Sequence, residues 1–165
     1  MDAQRGAMLG MSMLVASRGL GAIIGPLFSA RLAGQSDRRL CLGILFGYLT
    51  VAVGYAALGG ASSLWVACLC LTLAHAGGST IWVFSTSLLQ LNTEDRFRGR
   101  VFAADLGFCM LVIAITSYLC GVFLDWGVSA RTMATATGLL MLVPASLWGW
   151  TMRLGTNHQR RTTKD

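Results

Sequence analysis

Two long apolar runs, separated by a short charged segment, constrain the fold of this sequence more than any other feature. Residues 7–30 contain one charged residue, Arg18, and residues 41–61 contain none. A helix of about 20 residues crosses the roughly 30 Å hydrocarbon layer of a bilayer, so each run is long enough to do so. The segment between them, residues 29–40, is therefore predicted to be a loop that joins two membrane spans.

The composition of the chain also favours a membrane protein. Of its 165 residues, 55% are hydrophobic and 12% are charged, with a mean hydropathy of +0.62, whereas soluble domains average about 25% charged residues. The net charge of +6 comes from basic clusters between the apolar runs. Because these clusters form no continuous basic face, we expect no nucleic-acid partner. We expect them to set the topology and to contact membrane lipids.

The sequence predicts an all-α membrane protein with five transmembrane helices. The predicted spans are residues 7–30, 41–61, 65–87, 101–126 and 132–152, followed by a basic cytoplasmic tail at 153–165. Lys and Arg in short loops mark the cytoplasmic side of a membrane. Of the 13 Lys and Arg residues, ten fall on one side of this layout, Arg5 and Arg131 fall on the other, and Arg18 falls within the membrane. The N-terminus is therefore predicted outside and the C-terminus in the cytoplasm.

Glycines at four-residue spacing predict close helix packing in the first two spans. Gly21 and Gly25 form one such pair and Gly43 and Gly47 another. Small residues at this spacing lie on one face of a helix and let a second helix approach closely.

The sequence offers no constellation for catalysis. The five cysteines form no Cys-x-x-Cys pair and no His lies at ligand spacing from them, so no metal site is predicted. No nucleophile–base pair or phosphate-binding Gly loop is present either. We therefore predict that the protein is not an enzyme and needs no cofactor.

Polar side chains within the spans are the candidate site residues. Arg18 and His75 lie near the middle of the first and third spans, at matching depths when about 1.5 Å is counted per residue. Thr72 and Ser79 share a helical face with His75. Because a lipid-facing Arg at this depth costs at least about 2.5 kcal/mol, we predict one central cavity that these four residues line. The alternatives are a structural salt bridge, or snorkelling to the membrane interface, for Arg18 and a helix-to-helix hydrogen bond for His75.

Two charged segments resemble loops of a transporter family. The segment A-R-L-A-G-Q-S-D-R-R at residues 30–39 is similar to the loop signature of major facilitator superfamily transporters, although Ala30 replaces its Gly and Gly34 its Asp. The matching residues are Arg31, Leu32, Ala33, Arg38 and Arg39. The segment D-R-F-R-G-R-V-F at residues 95–102 looks like the loop before the eleventh helix in exporters related to the enterobactin exporter.

The resemblance implies a function and a set of partners. The five spans would be helices eight to twelve of a twelve-helix transporter in the inner membrane, with the other helices supplied by a longer chain or a partner chain. Such a protein would export small organic molecules, such as siderophores or drugs, by proton-coupled alternating access. Thr116 would also border the substrate cavity. The residues near a cytoplasmic gate would be Arg31, Asp37, Arg38, Arg39, Arg98, Arg100 and Asp105.

Two alternatives to this function stay open. The chain could be a membrane module that packs against another subunit without transporting anything, or an inactive, truncated copy of a transporter. Arg31, Arg38 and Arg39 could likewise set the topology alone, a reading that the replacement of Asp by Gly34 favours.

Overall fold

The regular secondary structure in the described part of the chain is all helical, as predicted. The computed structural model describes residues 3–33 and 36–162, which form six α-helices. They are α1 (Ala3–Ala33), α2 (Asp37–Gly59), α3 (Leu64–Leu91), α4 (Asp95–Asp125), α5 (Ala130–Leu140) and α6 (Leu142–Thr162). Within these residues, five stretches are long and apolar enough to cross a membrane, the fifth being Ala130–Arg153. In length and composition, these stretches are those expected of a multi-pass membrane protein.

Several helices extend beyond the predicted spans. Helix α1 continues to Ala33 and α2 begins at Asp37, so the loop predicted at residues 29–40 is much shorter. Residues 95–100, also predicted to lie in a loop, form the first turns of α4. Helix α6 continues to Thr162, over most of the predicted tail. A helix satisfies its own backbone hydrogen bonds in water as well as in lipid, so it need not end where its apolar stretch ends. Gly34, Lys164 and the end of the tail lie outside the described residues.

The fifth span is divided into two helices close to a proline. Pro144 has no N–H group and cannot bond to the carbonyl of Leu140. Helix α5 ends at Leu140 and α6 begins at Leu142. Bonds between residues four apart continue on both sides of the break: the N–H of Met141 donates to the carbonyl of Thr137 at 3.1 Å, and the N–H of Ala145 donates to the carbonyl of Met141 at 3.3 Å. The predicted span at 132–152 is therefore helical but interrupted at Met141.

Helix α3 is the centre of the packing. Helices α1 and α2 both pack along it, and α2 also packs against α5 and α6. A buried cluster of Leu40, Ile44 and Phe84 joins α2 to α3. At its edge the indole N–H of Trp148, on α6, donates to the carbonyl of Cys41 at 3.0 Å. This bond satisfies the polar end of a side chain whose rings pack against the core.

Glycines allow α1 to meet α3 backbone to backbone. A Cβ atom on Gly21 would overlap the carbonyl oxygen of Thr72, and one on Gly25 would overlap the carbonyl oxygen of Ala76. These two contacts are one turn apart on both helices. A larger residue at either position would therefore force α1 and α3 further apart.

Glycines also shape the contact between α2 and α3. A Cβ atom on Gly47 would lie 2.6 Å from Cγ1 of Ile81 and 2.9 Å from the carbonyl oxygen of Gly77. The ring of Phe84 occupies the space beside Gly43. The second pair of spaced glycines thus receives both backbone and large side chains of α3.

Helix α4 lies apart from this packing. None of its residues, 95–125, is buried. Its three glycines, Gly99, Gly107 and Gly121, have no atom within 4 Å of the position of a Cβ. Its large side chains, including Phe108 and Tyr118, are mostly exposed. This helix is apolar over most of its length, so it presents its full circumference to lipid or to other helices.

Candidate functional site

Hydroxyl groups connect α1 and α3 at two levels. The hydroxyl of Thr72 donates to the carbonyl of Ser17 at 3.2 Å and to that of Cys68 in its own helix at 2.9 Å. Nearer the C-terminal ends of both helices, the hydroxyls of Ser29 and Thr80 are 2.8 Å apart. Thr80 is the buried member of this pair. Such bonds fix one helix against another inside a membrane.

Polar side chains of three helices lie near the first of these levels. Arg18 follows Ser17 on α1 and is exposed. His75 is half-buried one turn beyond Thr72 on α3. From α2, the hydroxyl of Tyr55 is 3.4 Å from Nε2 of His75, and the two rings pack edge to face with centroids 6.3 Å apart. We call Arg18, Tyr55 and His75 the polar triad.

Tyr55 was not among the site residues predicted from the sequence. The available signal was weak, because Tyr55 lies in a run without charged residues and a tyrosine is common among apolar side chains. Its role depends on where the second and third helices cross. Gly54 sets that crossing, since a Cβ atom there would lie 2.7 Å from the backbone nitrogen of Ala74.

Of the five predicted cavity residues, four lie on α1 and α3 and the fifth lies on α4. Thr72 lies in the contact between α1 and α3, where it bonds to Ser17, the residue before Arg18, and it is one turn before His75. The hydroxyl of Ser79 donates to the carbonyl of His75 at 2.8 Å. Thr116, by contrast, is exposed on α4 and donates to the carbonyl of Val112 in its own helix at 2.7 Å.

The predicted gate residues are spread over three helix ends. Arg31 is exposed in the last turn of α1, and Asp37, Arg38 and Arg39 are exposed in the first turn of α2. At the start of α4, Arg98 forms an ion pair with Asp95 at 2.8 Å. Arg100 and Asp105 are exposed further along the same helix. Among the described residues, the ion pair of Arg98 is thus local to α4.

An apolar cleft separates α1 from α2. It has a volume of about 420 Å³ and is bounded on its third side by α3. Three phenylalanines and four glycines make up half of its fourteen lining residues, and Ser29 and Thr80 also line it. Arg39 is its charged lining residue.

Neither metal ligands nor known relatives identify this site. In the part of the chain that the structure describes, no three His, Cys, Asp or Glu side chains are placed to hold a metal ion. Comparison of the chain with protein-family models, with curated proteins and with solved structures finds no match. The function must therefore be inferred from the chemistry of the residues themselves.

Proposed function

We propose that this protein forms helices eight to twelve of a major-facilitator-type secondary transporter that exports small organic molecules. The observation that carries the proposal is the exposed guanidinium of Arg18, near the middle of the apolar helix α1. In lipid this side chain would cost at least about 2.5 kcal/mol. A water-filled cavity between this chain and further helices removes that cost, and secondary transporters bind substrate in such a cavity near the midplane.

The polar triad supports a proton-coupled mechanism. Arg18 would attract an anionic group of the substrate, such as a carboxylate or a catecholate. His75 can gain or lose a proton near neutral pH. An anion bound to Arg18 would also attract a protonated imidazole, so substrate binding and protonation of His75 would favour each other. Tyr55 would hold the imidazole ring in place.

Substitutions in the complete transporter test this mechanism. With the remaining helices supplied by a longer chain or a partner chain, we expect Arg18→Ala to lower export of a catecholate siderophore by about tenfold or more, since hydrogen bonds to charged groups contribute about 1.5–3 kcal/mol. His75→Ala should remove the pH dependence of export. Export would be measured as uptake of substrate into inside-out vesicles with an imposed pH gradient.

Arg131→Ala is the matched control, because it removes the same charge from an exposed position on α5. We expect it to leave export unchanged. If Arg18→Ala and His75→Ala fold and export every substrate normally at all pH values, the cavity assignment is wrong.

The proposal places the protein in an inner membrane and requires that Arg38 and Arg160 lie on its cytoplasmic side. In a cysteine-free background, an impermeant maleimide added from outside should label Ser62→Cys and Ser129→Cys, but not Arg38→Cys or Arg160→Cys. Labelling at position 38 without labelling at position 62 would show that the predicted orientation is wrong.

The exposure of α4 favours the second candidate, a module that packs against another membrane subunit. Gly107 and Gly121 have open space beside them, as expected for positions that receive another helix. The two candidates differ in the DNA upstream of Met1, which would continue in frame and encode about seven further spans only for a transporter. Reconstituted vesicles that hold this chain alone do not distinguish them, because neither a module nor an isolated part of a transporter carries substrate by itself.

A further inference from the structure

The cleft between α1 and α2 has the shape of a site for a lipid chain. Both helices pack on α3 but have little contact with each other, so a space of about 420 Å³ remains between them. This volume is within the range of about 300–1,000 Å³ that ligand sites occupy. Ile24 and Phe28 of α1, Phe46 of α2 and Phe84 of α3 line it. An apolar, elongated ligand therefore fits it best.

The length of the cleft matches one leaflet of a bilayer. Along α2 its wall runs from Arg39 to Thr50, which is about 16 Å at a rise of about 1.5 Å per residue. The hydrocarbon layer is about 30 Å thick, so one leaflet is about 15 Å. With Arg39 at the start of the helix, the cleft extends from the membrane surface to about the midplane.

The charges along the cleft indicate a ligand with an anionic head and an apolar tail. Arg39 is exposed at the surface end, and no ion pair within the described residues involves it. Deeper in the cleft, the hydroxyls of Ser29 and Thr80 bond to each other. Each of them also lies within hydrogen-bond distance of a backbone carbonyl of its own helix. Because these contacts use both hydroxyl hydrogens, Ser29 and Thr80 offer no free donor to a polar substrate.

We propose that this cleft binds one acyl chain of an anionic phospholipid whose phosphate pairs with Arg39. The lipid would fill the gap and hold α1 and α2 at a fixed distance. This inference concerns only the described helices, so it does not depend on whether the protein transports anything.

Arg38 provides a matched control for Arg39. The two residues are adjacent at the start of α2 and carry the same charge. Arg38 lines a different groove, which lies between α2 and α6 and is also bounded by Asp37 and Trp150. A general attraction of anionic lipid to this end of the protein would depend on both arginines, whereas binding in the cleft depends on Arg39.

Native mass spectrometry of the full, delipidated chain tests the head-group contact. We expect phosphatidylglycerol to bind about fivefold more tightly than phosphatidylcholine with the same acyl chains, which corresponds to one cation at an anionic head group. Arg39→Gln should abolish this preference, and Arg38→Gln should keep it. Equal binding of the two lipids, or equal effects of the two substitutions, would overturn the proposal.

Photolabelling tests the position of the acyl chain. Phosphatidylglycerol with a diazirine near the end of one chain should label the deep wall of the cleft, around Phe46 and Thr50. Thr50→Phe, which fills the deep end, should reduce this label while the circular dichroism of the protein stays the same. A label confined to α4 would overturn the proposal, as would a crosslink from the cleft to a second copy of the chain or to another protein helix.

Discussion

Helices α1 and α4 are equally long and similarly apolar, yet their surroundings are opposite. Each has 31 residues and contains glycines at intervals. In α1, Gly21 and Gly25 lie against the backbone of α3, whereas the glycines of α4 face open space. Hydropathy alone therefore does not determine whether a membrane helix is part of a packed core. Lipid solvates apolar side chains as well as a neighbouring helix does. Whether a helix joins the packed core therefore depends on the atoms that it presents at one or two crossing points.

The largest expected difference between the two helices is in the effect of a bulky residue at a glycine. Gly25→Leu would force a side chain into the backbone of Ala76, and overpacking of this kind costs about 3 kcal/mol. Gly107→Leu on α4 should change the free energy of unfolding by less than about 0.5 kcal/mol, since its side chain enters open space. Both values can be measured by unfolding in mixed micelles with increasing sodium dodecyl sulfate. Equal losses would mean that α4 packs as closely as α1.

A smaller difference in the free energy of unfolding is expected when an isoleucine is truncated to alanine in the core and on α4. Ile44 is almost fully buried between α2 and α3. The unfolded state of a membrane protein remains in lipid, so Ile44→Ala should lose mainly the cavity contribution, about 2 kcal/mol at about 24 cal/mol per Å³. Ile113→Ala, at a half-exposed position on α4, should lose less than about 0.5 kcal/mol in the same titration. A large loss at position 113 would show that α4 is covered in the folded protein.

The smallest expected difference isolates one hydrogen bond between helices. Thr80 and Thr116 each donate to a carbonyl four residues earlier, at 2.8 and 2.7 Å. Thr80 also bonds to Ser29 across the α1–α3 contact. Thr80→Val should therefore cost about 0.6 kcal/mol, the average for such bonds in a membrane, and Thr116→Val should have no measurable effect. A cost that persists when Ser29→Ala is already present would show that the bond between the helices is not its source.

The local features of this fold could be predicted from the sequence, whereas its contacts could not. Five apolar stretches and the shared face of Thr72, His75 and Ser79 follow from hydropathy and the 3.6-residue period. Three features could not be predicted, because each depends on residues far apart in the chain. They are the packing of both glycine pairs against α3, the contact of Tyr55 with His75, and the cleft that Arg39 borders. The two basic segments predicted as loops were largely helical, because charge marks the membrane surface and not the end of a helix.

The contact of α1 with α3 also restricts which mutations this gene can tolerate. A single base change in a glycine codon, when it changes the amino acid, always introduces a Cβ atom. At Gly21 and Gly25 even the smallest product, alanine, would overlap a carbonyl oxygen of α3. In a library of random single-base variants under selection for a folded protein, both codons should therefore retain glycine, whereas the codons for Gly107 and Gly121 should accept several other residues.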